Sequence, residues 1–490
     1  MITWGISANS HDAALAVFKD FKIEFASQSE RFSKIKNDPH LNKEILDYAL
    51  QYGYPNEIIW YESPFKKTLR QWWAGQGWNK KENDIKSYIS NFSVPQIFNV
   101  PIKYESHHRS HAASGYFTSG FKNATIIVLD SIGEWETFTI WHAEGTKLKK
   151  IFTQRYPHSI GLWYSSMTKR IGLKPNEEEY ILMGMAAYGN KHRLYQTILN
   201  DFFNIKDHKD SIRLKENLHR GCKDWRRDLK TEQDKFDIAA GTQAVYEYIL
   251  KRISKTAKWY SRSENLVLSG GCALNCSANS LLENDWKKIY VPPYPGDCGS
   301  AIGAVLSHYN KHTSIQPYLG YNIEKPYPVK RLIKELKTTG IVGVANGPAE
   351  FGPRALGNRS LLADPRRSDI KDKVNEIKQR EKFRPFAPAI LSEHVDEYFD
   401  GVTGPYMQFT APCLHPNSIP SVVHEDGTSR VQTVSKRDNK GFRKLLEQWY
   451  KETGCPLLLN TSLNIKGMPI VNDLTDAKKF ATMYNVKVYS

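Results

Sequence analysis

The chain has 490 residues, enough for two or three domains with a core that needs no disulfide or metal staples. Its composition, 40% hydrophobic and 24% charged, is that of a globular protein, and no run approaches the roughly 18 apolar residues of a membrane span, which excludes a helical membrane protein. The 68 Lys+Arg against 52 Asp+Glu give +16, which favours phosphate-rich ligands or nucleic acid; with no long basic run, dispersed surface lysines carry equal weight.

In chain order, residues 2–8 read as a strand, Asn9 to Asp12 as a polar turn, 13–18 as an apolar return and Lys22 to Ser27 as a third strand. Met1 to Ile6 carry no basic leader, and Cys222, Cys272, Cys276, Cys298, Cys413 and Cys455 show no framework spacing, so free thiols and a cytoplasmic location are expected. A polar, Trp-rich stretch around 71–92 reads as an insertion of unassigned role. The strand-turn-strand pattern recurs at Ala124 to Asp130, Ser131 to Glu134 and Thr137 to His142, which suggests an internal duplication. Asp237 to Ser254 is expected to be helical. Asn265 to Leu268 runs into Ser269-Gly270-Gly271 and Ala273-Leu274-Asn275, a glycine turn opening a helix, where backbone N–H groups can cradle phosphate. A junction is expected in Gln316 to Tyr327, giving domains 1–327 and 328–490, the second opening with a helix at Val329 to Thr338 and a strand at Gly340 to Ala345.

His107 and His111, four apart, would share one helical face and one ion; alone, such a pair also suits a core or surface role. Asp130, ending a strand, and Asp297, in Pro295-Gly296-Asp297-Cys298-Gly299 before the small-residue run Ser300 to Ala304, add carboxylates. Two His and two Asp suit iron(II), zinc or manganese better than calcium. Cys272, Cys276 and Cys298 are an alternative thiolate set, one ligand short of a closed zinc site. Further on, Arg354 in Glu350 to Ser360, and Lys378 and Arg384 in Ile377 to Pro388, gather cations for a di-anionic or polyphosphate ligand. Arg430 and Asn460 add a cation and an amide for a small planar group, whereas Arg366 and Arg367 read as solvated surface.

Together Gly5-Ile6-Ser7 with His11-Asp12, Glu30-Arg31-Phe32, His107 to Ser114, Leu129-Asp130 with Gly133-Glu134-Trp135, His158 to Leu162 and Met183 to Gly189 form a pattern that continues nearly to the end of the chain. With Phe351 to Arg359, Phe383 to Pro388 and Asn460-Thr461-Ser462, it resembles the carbamoyltransferases of the nodulation-factor, cephamycin and tobramycin type. Ser131, Ala187 and Cys272 depart from the usual Gly, Pro and aliphatic residue, and the interdomain and C-terminal segments look shorter than usual. The resemblance implies an α/β protein with an actin-like ATPase domain of duplicated ribonuclease H type and a C-terminal YrdC-like domain. It implies that carbamoyl phosphate and ATP give carbamoyl adenylate, whose carbamoyl group passes to a hydroxyl. The implied sites are a metal at His107, His111, Asp130 and Asp297; ATP or adenylate at Gly133, Gly161, Gly270, Gly271 and Asn275; and carbamoyl phosphate or adenylate at Arg354, Lys378, Arg384, Arg430 and Asn460. Iron(II) is the first expectation for the metal, with zinc or manganese as alternatives and magnesium accompanying ATP.

A base for the acceptor hydroxyl is sought in His11 beside Asp12, where a plain turn histidine is nearly as good a reading. The acceptor is either a small hydroxylated metabolite or sugar, or a hydroxymethylated base in DNA, and the chain is expected to be a monomer or homodimer. The contrasting expectation is a non-catalytic nucleotide-binding partner of a complex resembling those that modify tRNA.

Overall fold

The computed structural model describes residues 1–80, 82–90, 94, 97, 99–204 and 212–490. The chain divides into two compact units, Met1–Ser29 with Asn37–Ile315, and Glu30–Lys36 with Gln316–Ser490.

The first unit uses one topology twice. β1 (Ile2–Ser7), β2 (Ala14–Lys19) and β3 (Lys22–Gln28) form an antiparallel meander, and β4 (Glu57–Trp60) and β5 (Ile102–Tyr104) extend it in parallel, giving the order β3-β2-β1-β4-β5. β6 (Asn123–Gly133), β7 (Glu136–Glu144) and β8 (Lys147–Arg155) form a second meander. A short ribbon, β9 (Phe203–Asn204) with β10 (Arg213–Leu214), follows; β11 (Asn265–Ser269) and β12 (Lys288–Tyr290) then join β6 in parallel, giving β12-β11-β6-β7-β8. The duplication hinted at by the sequence is thus present strand for strand. Its meanders alternate buried and partly exposed positions poorly because both sheets are covered, so β1, β2 and β6 read as nearly continuous apolar runs.

Close backbone contacts lock the helices onto these sheets. The Ser300–Tyr309 helix lies on β1 at Gly5, where an added Cβ would sit 1.9 Å from Ala301 O, and against the His107–Tyr116 helix at Gly303, where it would sit 1.9 Å from Ser110 O. The expected helix at 237–254 extends over Glu232–Ser261, started by a Thr231/Asp234 capping box. The Trp-rich stretch falls in the crossover from β4 to β5, with helices Pro64–Trp73 and Ile85–Ser90; its Lys81, Asn91 and Phe92 lie outside the described residues.

In the second unit β13 (Tyr318–Ile323) precedes β14 (Ile341–Ala345), and β15 (Gly347–Glu350) returns to pair with β13. That pairing places the start of the unit at Gln316, ahead of the 327/328 boundary expected from sequence. β16 (Arg359–Ala363), β17 (Ala387–Leu391), the short pair β18 (Ala411–Pro412) and β19 (Thr428–Ser429), β20 (Gln432–Val434), β21 (Leu457–Ser462) and β22 (Val488–Tyr489) complete it. The main sheet runs β20-β17-β21-β16-β14-β22. Alternation divides its core: Leu361, Ala363, Leu457 and Leu459 pack on one face, Leu362 and Leu458 on the other with the Val329–Thr339 and Lys440–Thr453 helices. No helix among the described residues is long and apolar enough to cross a membrane.

Candidate functional site

In the first unit three separate elements bring four donors to one point. His107 and His111 lie one turn apart on the His107–Tyr116 helix. Asp130 stands on β6 where the ladder with β7 slips between Leu129 and Gly133, a bulge that re-aims the strand's side chains. Asp297 opens the short turn leading into the Ser300–Tyr309 helix. His107 Nε2 is 3.0 Å from Asp130 Oδ2, 3.1 Å from His111 Nε2 and 3.4 Å from Asp297 Oδ1, and His111 Nε2 is 3.2 Å from Asp297 Oδ1. One ligand atom from each of the four lies within 4.8 Å of every other.

This donor set fits a divalent cation. Two imidazole nitrogens facing each other at hydrogen-bond distance can share only one proton, and a buried and a partly buried carboxylate leave two negative charges to neutralise. Burial pushes the Asp297 carboxyl up, but His107 and His111 overcome it and hold that group well below the usual carboxylate range. Asp130 is likewise driven up by burial and by Asp297, yet ends below its ordinary value through His107 and His111. His107 is pushed down by burial and raised further by the carboxylates, finishing well above an ordinary histidine, whereas burial and His107 hold His108 well below one. His108 therefore stands neutral against Thr139 Oγ1 at 2.9 Å, outside the cluster. The cysteines proposed as alternative ligands are free thiols, and burial raises Cys272 rather than favouring a thiolate.

Two supports were not legible in the sequence. Glu62, which directly follows β4 and the buried Tyr61, is itself buried; its Oε2 lies 3.6 Å from His107 Nδ1 and its Oε1 accepts from Lys67 Nζ at 2.6 Å. Ser10 donates to Asp297 Oδ2 at 3.1 Å and sits 2.7 Å from the Tyr61 hydroxyl. The β1–β2 turn thus reaches the cluster through Ser10. Of the expected base pair in that turn, His11 is exposed and Asp12 accepts from Gln28 Nε2 at 2.8 and 3.1 Å.

The residues expected at adenylate surround the Asp130 end of β6. A Cβ at Gly161, at the start of the Ile160–Arg170 helix, would meet Ser131 backbone at 2.9 Å; one at Gly270 would meet Leu129 O at 2.1 Å; one at Gly271 would lie 3.2 Å from Asp130 Oδ1. Gly133 makes room for the His107 ring, its Cβ position being 2.3 Å from Cδ2. Asn275 caps the next helix and pairs with Gln243. These glycines answer first to close packing behind the metal donors.

In the second unit the expected cations, and Arg359 beside them in the Phe351 to Arg359 motif, separate into bound and available groups. Arg359, fully buried, donates to the carbonyls of Asn472, Asn346, Gly347, Asn358 and Tyr321, and burial lowers it to about 10. Lys378 Nζ donates to Ser462 O, Asn464 O and Asn464 Oδ1, and burial followed by Arg380 and Arg384 pushes it well below an ordinary lysine. Glu350 Oε1 accepts from the N–H groups of Leu356, Asn358 and Arg359 at 2.7, 2.8 and 3.3 Å and so shapes the loop that carries Arg354. Asn460 Nδ2 donates to Ala355 O and Gln432 Oε1, while its buried Oδ1 and the buried Nε of Arg430 have no hydrogen-bond partner among the described residues. Arg384 is nearly buried, 3.4 Å from Glu381.

Sequence reasoning missed a further cation here. Arg31, in the Glu30–Lys36 segment that belongs to this unit, is 1% exposed, donates from Nη2 to Gly352 O at 2.8 Å, and among the described residues has no hydrogen-bond partner at Nη1 or at Nε, which lies 3.9 Å from Glu30 Oε1. Its separation of 321 residues from Gly352 hides the pairing from any local reading.

Comparison with known proteins gives two family matches, the carbamoyltransferase N-terminus over residues 61–306 and the carbamoyltransferase C-terminus over 333–489. Nodulation protein U of Sinorhizobium fredii is 36% identical, over 94% of this chain and 93% of its own. An uncharacterised Synechocystis protein is 31% identical over 96% and 93%, and the 3'-hydroxymethylcephem-O-carbamoyltransferase of Amycolatopsis lactamdurans is 25% identical over 95% and 94%.

Proposed function

The chain belongs to the carbamoyltransferase family and is an enzyme that transfers carbamoyl groups, and from that premise we propose a two-step, ATP-dependent O-carbamoyltransferase with its steps divided between the two units. In the second unit, read as YrdC-like, water releases carbamate and phosphate from carbamoyl phosphate. A carbamate oxygen then attacks the α-phosphorus of ATP, the α–β bridge breaks, and carbamoyl adenylate and pyrophosphate form. Arg31, Arg354, Arg384 and Arg430 face the oxyanions of that reaction, and Asn460 Oδ1 accepts from the carbamoyl NH2. Lys378 holds the Ser462–Asn464 turn in place. Carbamate is a weak nucleophile, so fixed cations in a desolvated site lower the barrier by stabilising phosphoryl charge.

The first unit, whose doubled 3-2-1-4-5 sheet order suits an actin-like fold, carries out transfer. The acceptor oxygen attacks the carbamoyl carbon, the bond to the adenylate phosphate oxygen breaks, AMP leaves and the hydroxyl proton is lost. A divalent cation held by His107, His111, Asp130 and Asp297 would supply Lewis acidity toward an adenylate phosphate oxygen. In this reading N–H groups following Gly161 and Gly271 receive the same phosphate, and His11 in the Ser10 turn takes the acceptor's proton.

The observation that carries this reading is the convergence of four metal-type donors on one buried point in the unit matched by the N-terminal family. With ATP, carbamoyl phosphate and Mg, the purified protein should release pyrophosphate only when both substrates are present. Arg430→Ala should abolish release; His111→Ala should keep it while losing bound metal and acceptor carbamoylation. Release that is indifferent to carbamoyl phosphate would sink the proposal.

A further inference from the structure

The helix Pro64–Trp73 is amphipathic in the unusual sense. Its buried side chains are Lys67, Thr68 and Arg70, and its exposed ones include Phe65, Trp72 and Trp73, at 68%, 57% and 58% exposure. A surface helix ordinarily turns its apolar stripe inward, so an aromatic stripe facing water marks a binding surface. Trp78, also exposed, extends it, 6.4 Å from Trp72 between ring centres, and Trp73 packs 5.5 Å from Trp135 and 6.0 Å from Tyr156.

The polar face of the helix is tied to the metal donors. Lys67 bonds Glu62, which faces His107 Nδ1; Arg70 Nε donates to Glu134 O, and Ser63 N–H donates to Glu134 Oε1. Glu134 joins Gly133, which touches the His107 ring, to Trp135, which touches Trp73. The aromatic surface therefore begins two residues from the wall of the cluster.

Charge selects the occupant. Of the cations in residues 63–80, Lys67 and Arg70 face inward, while Lys66 and Lys80 are exposed on a stretch that holds no acidic residue. The adjoining loop adds the exposed Arg220, whose carbonyl Lys169 reaches, and the ring of His219, 3.3 Å from Gln76 and edge-on to Tyr156 at 5.8 Å. Exposed indoles interleaved with cations match a strand whose bases stack while its phosphates follow the charge. We propose that this surface binds the acceptor as single-stranded or locally unpaired nucleic acid, presenting a hydroxymethyl-bearing base to the metal cluster. This rests on the reading of the enzyme as one that carbamoylates a hydroxyl.

The test is fluorescence anisotropy with a labelled single-stranded oligonucleotide carrying a 5-hydroxymethylpyrimidine, with no nucleotide cosubstrate, on wild type, Trp72→Ala, Trp78→Ala and the double variant. Each loss of a ring should weaken binding about tenfold, with wild-type affinity falling steeply with salt and melting temperature unchanged. Mass spectrometry of the oligonucleotide after incubation with ATP and carbamoyl phosphate should show the carbamoyl adduct, with KM raised in the variants and pyrophosphate release equal to wild type. Equal oligonucleotide affinity in wild type and double variant overturns the proposal. So does absence of oligonucleotide binding with a raised KM for a small sugar, which would make the platform a carbohydrate site. Absence of pyrophosphate release in the wild type strikes the two-step reading instead, because the binding measurement does not depend on it.

Discussion

The first unit's metal cluster and the second unit's cation site are assembled from opposite economies of hydrogen bonding. In the cluster, four donors of metal-binding type point at one another, two imidazoles against two carboxylates, a set that suits a cation. In the second unit many charges are already consumed: Arg359 is wrapped by five carbonyls and Lys378 by the end of β21, while Arg31, Arg430 and Asn460 keep buried polar atoms with no hydrogen bond among the described residues. A donor cluster therefore announces its ligand by residue type, whereas a run of arginines does so only after the structural ones are subtracted.

The sharpest way to break this comparison is Arg359→Ala. It removes the donor to five carbonyls, two of them only part-buried, and should cost about 3–5 kcal/mol, seen as a large drop in the denaturation midpoint. A variant with wild-type stability but no pyrophosphate release would move Arg359 from scaffold to ligand contact.

That distinction also marks what the sequence could convey. His107 and His111 are legible because helical spacing puts them on one face, and Asp130 because it follows the apolar run of β6 directly. The duplicated meander is legible because both copies repeat strand, polar turn and strand. Glu62 and Ser10 were not, since they meet the cluster through β4 and a turn, and nothing local distinguishes them from other polar residues near strand ends. Arg31 was quoted in a motif without a role because its partner Gly352 is brought near only by the assembly of the second unit. The role of the Pro64–Trp73 helix was hidden for the reverse reason: its pattern is a clean amphipathic one, and periodicity does not say which face is buried.

A smaller effect comes from pH. In the metal-free protein the His107 pKa lies well above that of an ordinary histidine, so a proton occupies the cluster that a cation must displace. Metal affinity should then rise with pH, by up to about tenfold per unit, until His107 is deprotonated, and level off above that point. The same raised value means that His107 stabilises the metal-free fold below its unfolded pKa and loses that contribution as pH climbs through the folded one. Isothermal titration with Zn(II) or Fe(II) across pH checks the sign; affinity that falls with rising pH would contradict it.

The finest discriminator is Glu62→Gln. The amide keeps the volume of the carboxylate and an oxygen for Lys67, but removes the negative charge 3.6 Å from His107 Nδ1. A carboxylate behind a metal-bound imidazole fixes its tautomer and raises its basicity, and such outer partners are worth roughly 10–100-fold in affinity. Glu62→Gln should sit at the low end, about tenfold weaker for metal at neutral pH, with pyrophosphate release intact because the second unit is untouched. The matched change in that unit, Glu350→Gln, should do the converse, slowing pyrophosphate release by loosening the 356–359 amides while metal content stays at wild-type level. If either substitution moved both readouts together, the separation of metal-centred transfer from cation-centred activation would fail, since each carboxylate touches only its own unit's polar network.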